Sequence, residues 1–257
     1  MKQDSQVFND PNSVNKNTDV TSSVGFIAKV FLYMFVGLLI SAAVCIAFSY
    51  LLSYAIGTGD ANMMMTYLII LVVSLIALLI TSFVITIKRI RMKNIVVPYV
   101  FYTVLMGIML SSLIYWVGDP NVIGISLGIT SLIFGITCLC AAIFKGKLAW
   151  VWGLLVGGIV SMGILSLVNL FLFPWAFSVE SAFDASMTIY WIIEGIFIVV
   201  IIISTFLDMY NIKKIASYGS NDSNLALYCA LNLYGDFIII FVRILYIVML
   251  AGGKSKD

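Results

Sequence analysis

Residues 228–243 read YCALNLYGDFIIIFVR, and they put a carboxylate, Asp236, inside a run otherwise apolar enough to cross a bilayer. The preceding apolar run, residues 196–208 (IFIVVIIISTFLD), closes on a second carboxylate, Asp208. A charge held at bilayer depth costs about 2.5–3.5 kcal/mol on insertion scales, so such residues are rarely incidental. Two of them on consecutive spans, joined by a short polar loop, read as a site. The rest of the chain reads as its housing.

Composition sets the class. Of the 257 residues, 62% are hydrophobic and 10% charged, and mean hydropathy is +1.12. A soluble domain is about half apolar and about a quarter charged, so this is a polytopic membrane protein. The net charge of +2 is too small to argue for a nucleic-acid partner. Cys45, Cys138, Cys140 and Cys229 all lie in apolar runs and read as reduced packing residues. The chain has no histidine, which excludes the familiar His-based metal sites and Ser-His or Cys-His catalysis.

Seven runs approach the ~20 residues needed to cross the hydrocarbon. They fall near 27–56, 64–87, 95–117, 122–144, 148–173, 187–211 and 226–250. The expected fold is an all-α integral membrane protein with seven transmembrane helices over 25–251. A disordered cytosolic tail precedes it at 1–24, rich in Asn, Ser and Asp, and a short tail follows at 252–257. Lys88, Arg89, Arg91, Lys93, Lys145, Lys147, Lys213 and Lys214 occupy one set of loops, while Asp60, Asp119, Glu180 and Asp184 occupy the alternate set. By the positive-inside rule the N-terminus is cytosolic. Seven spans then put the C-terminus outside, against the preference of Lys254 and Lys256. Small residues at Gly124-xxx-Gly128 and Gly153-xxx-Gly157 are spaced for close helix contact.

Asp208 sits near the cytosolic end of the sixth run. For Asp236 to meet it across a hairpin, residues 224–230 must extend the seventh helix into the cytosol. Two touching carboxylates cannot both ionise cheaply, so they share one proton and titrate as a unit. Such a pair senses pH. Glu194 precedes Asp208 by 14 residues, about 40° from the same helix face and ~21 Å toward the outside. Arg243 follows Asp236 by seven residues, on nearly the same face and ~10 Å outward. Leaning together, Glu194 and Arg243 form a candidate charge pair; Arg243 reaching the outer headgroups alone is the other reading.

Three stretches carry a family resemblance. Residues 26–43, FIAKVFLYMFVGLLISAA, hold a basic residue, an aromatic, Met, then Gly-Leu and a small pair. LDMYNIKKI, residues 207–215, has Asp-x-x-x-Ile, and ALNLYGDFIIIF, residues 230–241, is close to Ala-Leu-x-Leu-Tyr-x-Asp-Phe-Ile. The chain resembles the transmembrane Bax inhibitor motif family of bacteria and eukaryotic endomembranes. All seven spans follow in order, the middle matching by hydropathy and by YVFYTVLMGI at 99–108. The resemblance implies a seventh helix central within a bundle of six and a pH-dependent calcium leak. Asp208 and Asp236 would be its sensor and would meet Ca²⁺ in transit. It also implies a basic latch to Asp208 at the end of the second helix, Arg91 or Arg89. The expected setting is a bacterial plasma membrane, with no cofactor beyond Ca²⁺ as permeant ion and H⁺ as regulator. Arg243 departs from the family pattern, since it would repel Ca²⁺ unless Glu194 neutralises it. Gly235 is a smaller departure.

Two rivals stand beside this reading. A proton-coupled transporter can use a carboxylate pair equally well. An intramembrane aspartyl protease also places one Asp on each of two spans. However, Leu233 stands where the first glycine of Gly-x-Gly-Asp belongs, and no proline follows Asp236 to supply Pro-Ala-Leu.

Overall fold

Inside a bilayer a backbone must satisfy its own N–H and C=O groups, and long apolar runs therefore fold as helices. The structure, a computed structural model, describes residues 11–59, 61–88, 95–144, 146, parts of 151–166, 180–218 and 222–253. Six helices are described: α1 (Pro11–Thr58), α2 (Ala61–Lys88), α3 (Val96–Val117), α4 (Pro120–Ile143), α5 (Glu180–Ser217) and α6 (Ser223–Gly253). Each holds a segment long and apolar enough to cross a membrane. Most of the expected fifth span, 148–173, lies outside the described residues, although 155–160 within it are helical. The other boundaries fall within a few residues of expectation, with two extensions. Helix α1 begins at Pro11, inside the expected tail, where proline suits the first helical position. Helix α5 begins at Glu180, before the expected span.

The turns follow from local chemistry. Gly118 takes φ 63°, open to glycine without strain, and lets α3 stop and α4 start two residues apart. Asp119 caps α4 by accepting a hydrogen bond from the Asn121 N–H at 2.9 Å, and Pro120 opens the helix. Asp222 caps α6 in the same way through Asn224, also at 2.9 Å.

The chain forms two compact units. The first comprises residues 1–116 and 211–234. Here α1 buries a stripe of Phe26, Val30, Met34, Ser41, Cys45 and Leu52, the four-residue spacing of one helix face. Without a hydrophobic drive between helices in lipid, close approach and buried hydrogen bonds hold such faces together. Gly37 supplies the first: a Cβ there would collide with the Tyr99 hydroxyl and lie 3.2 Å from Thr103. A Cβ at Gly107 would lie 2.7 Å from the Ser41 carbonyl and 2.8 Å from Val44. Among the described residues, a Cβ at Gly124, Gly128, Gly153 or Gly157 meets no atom within 4 Å. Spacing alone does not say which face of a helix finds a partner.

Buried hydroxyls supply the second. The Ser41 hydroxyl lies 2.9 Å from both the Gly37 and Thr103 carbonyls and also meets the Tyr234 hydroxyl. It has one hydrogen to give to the carbonyls, so Tyr234 is the donor to Ser41. Tyr234 is fully enclosed, with its ring edge-on to Tyr102 at 6.1 Å. Tyr99 donates to the Tyr33 carbonyl at 2.6 Å. Tyr67 meets Ser111 at 2.9 Å, and Ser111 donates to Ile108. An apolar cluster of Ile85, Ile95, Tyr99, Leu227 and Leu231 completes this core.

The second unit comprises residues 117–210 and 235–257. In it α4 buries Ser126, Thr130, Phe134, Cys138 and Ala141 along one face. Val151 and Leu207 form a small core, with Phe144, Phe206 and Tyr210 packed on it. Phe144 meets Phe206 and Tyr210 edge-to-face at 5.6 and 6.5 Å, and Tyr210 donates to the Gly146 carbonyl at 3.2 Å.

Candidate functional site: two carboxylates and an ion pair

The second unit holds all four charged residues singled out in α5 and α6. Asp208 on α5 and Asp236 on α6 lie within electrostatic range of each other. Helix α5 also brings Thr205, fully enclosed, within hydrogen-bonding reach of Asp236. The Thr205 hydroxyl donates its hydrogen to the Ile201 carbonyl one turn back at 2.9 Å. From α4, Cys138 comes within electrostatic range of Asp236, and Phe134 packs edge-to-face on Phe237 at 5.4 Å. The Asp236 Oδ2 atom is enclosed and has no hydrogen-bond partner among the described residues. A charge on such an oxygen is poorly compensated, whereas a proton there can be shared with a neighbouring acceptor.

Two turns further along α6, Arg243 donates through Nη1 to Glu194 Oε1 on α5. The reach of two long side chains closes the depth difference anticipated between them. The guanidinium carbon also sits 4.1 Å from the centroid of the Phe197 ring, a cation–π contact. The pair is lopsided: the Glu194 side chain is 6% exposed and that of Arg243 32%. Glu194 Oε2 is enclosed without a partner among the described residues.

The latch candidates Arg89 and Arg91 lie outside the described residues. Thr205, Phe197, Cys138 and Phe134 were not singled out from sequence. The first two had a signal, since Thr205 stands three residues before Asp208 and Phe197 three after Glu194, the spacing of one helix face. Cys138 and Phe134 reach the site from another helix, and no local pattern gives that. Among the described residues no group of three or more His, Cys, Asp or Glu side chains could hold a metal ion.

A helical, polytopic integral membrane protein with paired carboxylates in its spans is the class that fold and site define. Residues 24–254 match the family model described as inhibitor of apoptosis-promoting Bax1. The chain belongs to the Bax inhibitor family. No curated protein matches it at a significant level.

Proposed function

We propose that this protein is a pH-sensitive cation leak channel, with Ca²⁺ as a permeant ion and Asp208 and Asp236 as the gate. The observation that carries the reading is the approach of the two carboxylates within the spans, with Asp236 Oδ2 enclosed and without a hydrogen-bond partner among the described residues. With one proton between them the pair holds the closed form through a shared hydrogen bond. Losing that proton leaves two like charges in a low-dielectric site, which drives them apart and opens the path. Arg91 or Arg89 would be the latch, a guanidinium favouring the ionised form of Asp208. The enclosed seventh helix expected of the family is supported by burial: 61% of the α6 apolar window is buried, against 17–33% in the other five spans. The reading is not enzymatic, and it places the chain in a bacterial plasma membrane with its N-terminus in the cytosol.

The test is Ca²⁺ flux in proteoliposomes titrated over pH, comparing wild type with Asp236→Asn. The asparagine amide can donate to Asp208 as a protonated carboxyl does, so the variant should stay closed and lose most of its pH dependence. An unchanged pH profile sinks the gate. Flux that needs a counter-substrate turns the reading to a proton-coupled transporter, for which the same carboxylate pair would be the carrier. Cleavage of a single-span reporter would revive the protease.

A further inference from the structure

We propose that Glu194 is a cation-selecting carboxylate beyond the aspartate gate, and that Arg243 is its built-in competitor, a tethered cation occupying the carboxylate until a permeating one displaces it. The inference rests on the leak reading above and adds a second control point to it. Three features separate this arrangement from a purely structural ion pair.

The first is incompleteness. A structural pair of Arg and Glu gains most from two parallel bonds and full satisfaction of the carboxylate. Here one nitrogen meets one oxygen, and Glu194 Oε2 is enclosed with nothing bonded to it among the described residues. The second is asymmetry. The carboxylate is almost wholly buried and fixed, whereas the guanidinium is a third exposed. It rests on the ring of Phe197, one turn from Glu194 on the same helix. A guanidinium seated on a ring face has somewhere to slide without leaving its helix neighbour, which an ammonium held only by a carboxylate lacks.

The third is alignment with the rest of the unit. Cys138 neighbours Asp236 and Phe134 packs on Phe237, so α4 and α6 run in opposite senses here. Thr130, eight residues before Cys138, then lies ~12 Å from it, close to the ~10 Å that separates Arg243 from Asp236. The Thr130 hydroxyl oxygen is fully buried and also without a partner among the described residues. Asp236 Oδ2, Thr130 Oγ1 and Glu194 Oε2 are thus three enclosed oxygens spread along one unit. Oxygen donors of this kind are what a hard cation such as Ca²⁺ takes in place of water. Thr130 and Glu194 fall on the Arg243 side of the gate.

The experiment measures Ca²⁺ flux in proteoliposomes and, separately, the Ca²⁺-dependent shift in melting temperature of the detergent-solubilised protein. Wild type is compared with Arg243→Ala, Arg243→Lys and Glu194→Gln. Freeing the carboxylate in Arg243→Ala should raise flux and enlarge the Ca²⁺-induced melting shift. A change of roughly five- to a hundred-fold in apparent Ca²⁺ affinity is the range of such coupling. Glu194→Gln leaves an unneutralised guanidinium, and should depress flux and abolish the shift. If Arg243→Ala fails to fold, Arg243→Lys decides, because a lysine loses the ring seat and should move both readouts in the same direction by less. Arginine and glutamate variants that fall together, or do not change, show a structural pair only and overturn the proposal while leaving the aspartate gate standing. If no protein conducts at any pH, the leak reading fails and the melting shifts alone decide. A Ca²⁺ shift larger in Arg243→Lys than in wild type and absent in Glu194→Gln sustains the carboxylate site, and equal shifts overturn it.

Discussion

Gly37→Ala tests the packing of the first unit with one methyl group. The added Cβ would lie 3.0 Å from the Tyr99 ring carbon that bears the hydroxyl and 3.2 Å from the Thr103 methyl, and would collide with the Tyr99 hydroxyl itself. That hydroxyl cannot step aside freely, because it donates to the Tyr33 carbonyl at 2.6 Å and the side chain is buried. Expelling it gives up a buried hydrogen bond, about 1–3 kcal/mol when a donor is left unsatisfied. Overpacking adds about 1–3 kcal/mol. Against this, alanine is the better helix former by about 1 kcal/mol. The sum is a loss of about 1–5 kcal/mol, read as a lower midpoint of unfolding in detergent. Tyr99→Phe removes the atom that collides, so in that background the alanine should cost much less, a coupling of about 0.5–3 kcal/mol for residues in contact. A Gly37→Ala variant within about 0.5 kcal/mol of wild type, the level of a neutral surface change, would refute this account of the interface. So would strict additivity of the two substitutions.

Other consequences can be checked in parallel. Gly235→Ala should stabilise α6 by about 0.5–1 kcal/mol in the same melting assay, because the position is helical and a Cβ meets no described atom within 4 Å. Loss of stability there would mean the glycine serves a close contact. Tyr234→Phe should cost about 1 kcal/mol, as the hydrogen bond to the Ser41 hydroxyl is lost. A melting midpoint equal to wild type would dismiss that bond as a contributor.

Much of the site was legible because charge inside an apolar run is expensive. Asp208, Asp236, Glu194 and Arg243 stand out against their neighbours without any alignment, and helical spacing put them on usable faces. Thr205 and Phe197 were overlooked because a threonine or phenylalanine in a span is ordinary; only the neighbouring charge gives each one meaning. Cys138 and Phe134 depend on how α4 meets α6, which is tertiary information. The glycines show the same limit. Gly124 and Gly128 carry the familiar spacing but meet nothing described, whereas Gly37 and Gly107, each with a serine rather than a glycine four residues on, sit where helix backbones come close.

The burial of α6 bears on how the protein is put together. A span carrying both an aspartate and an arginine meets a penalty for each of about 2.5–3.5 kcal/mol if it enters lipid alone at mid-depth. The groups that relieve those penalties lie on a helix made earlier, Thr205 and Glu194 on α5. Helix α6 is the last of the described helices to leave the ribosome, so its partners are already in the membrane when it arrives. Its insertion is then a docking step rather than a partition into lipid. Helix α5, bearing Glu194 and Asp208, is made before α6 and keeps its carboxylates without those partners until α6 docks.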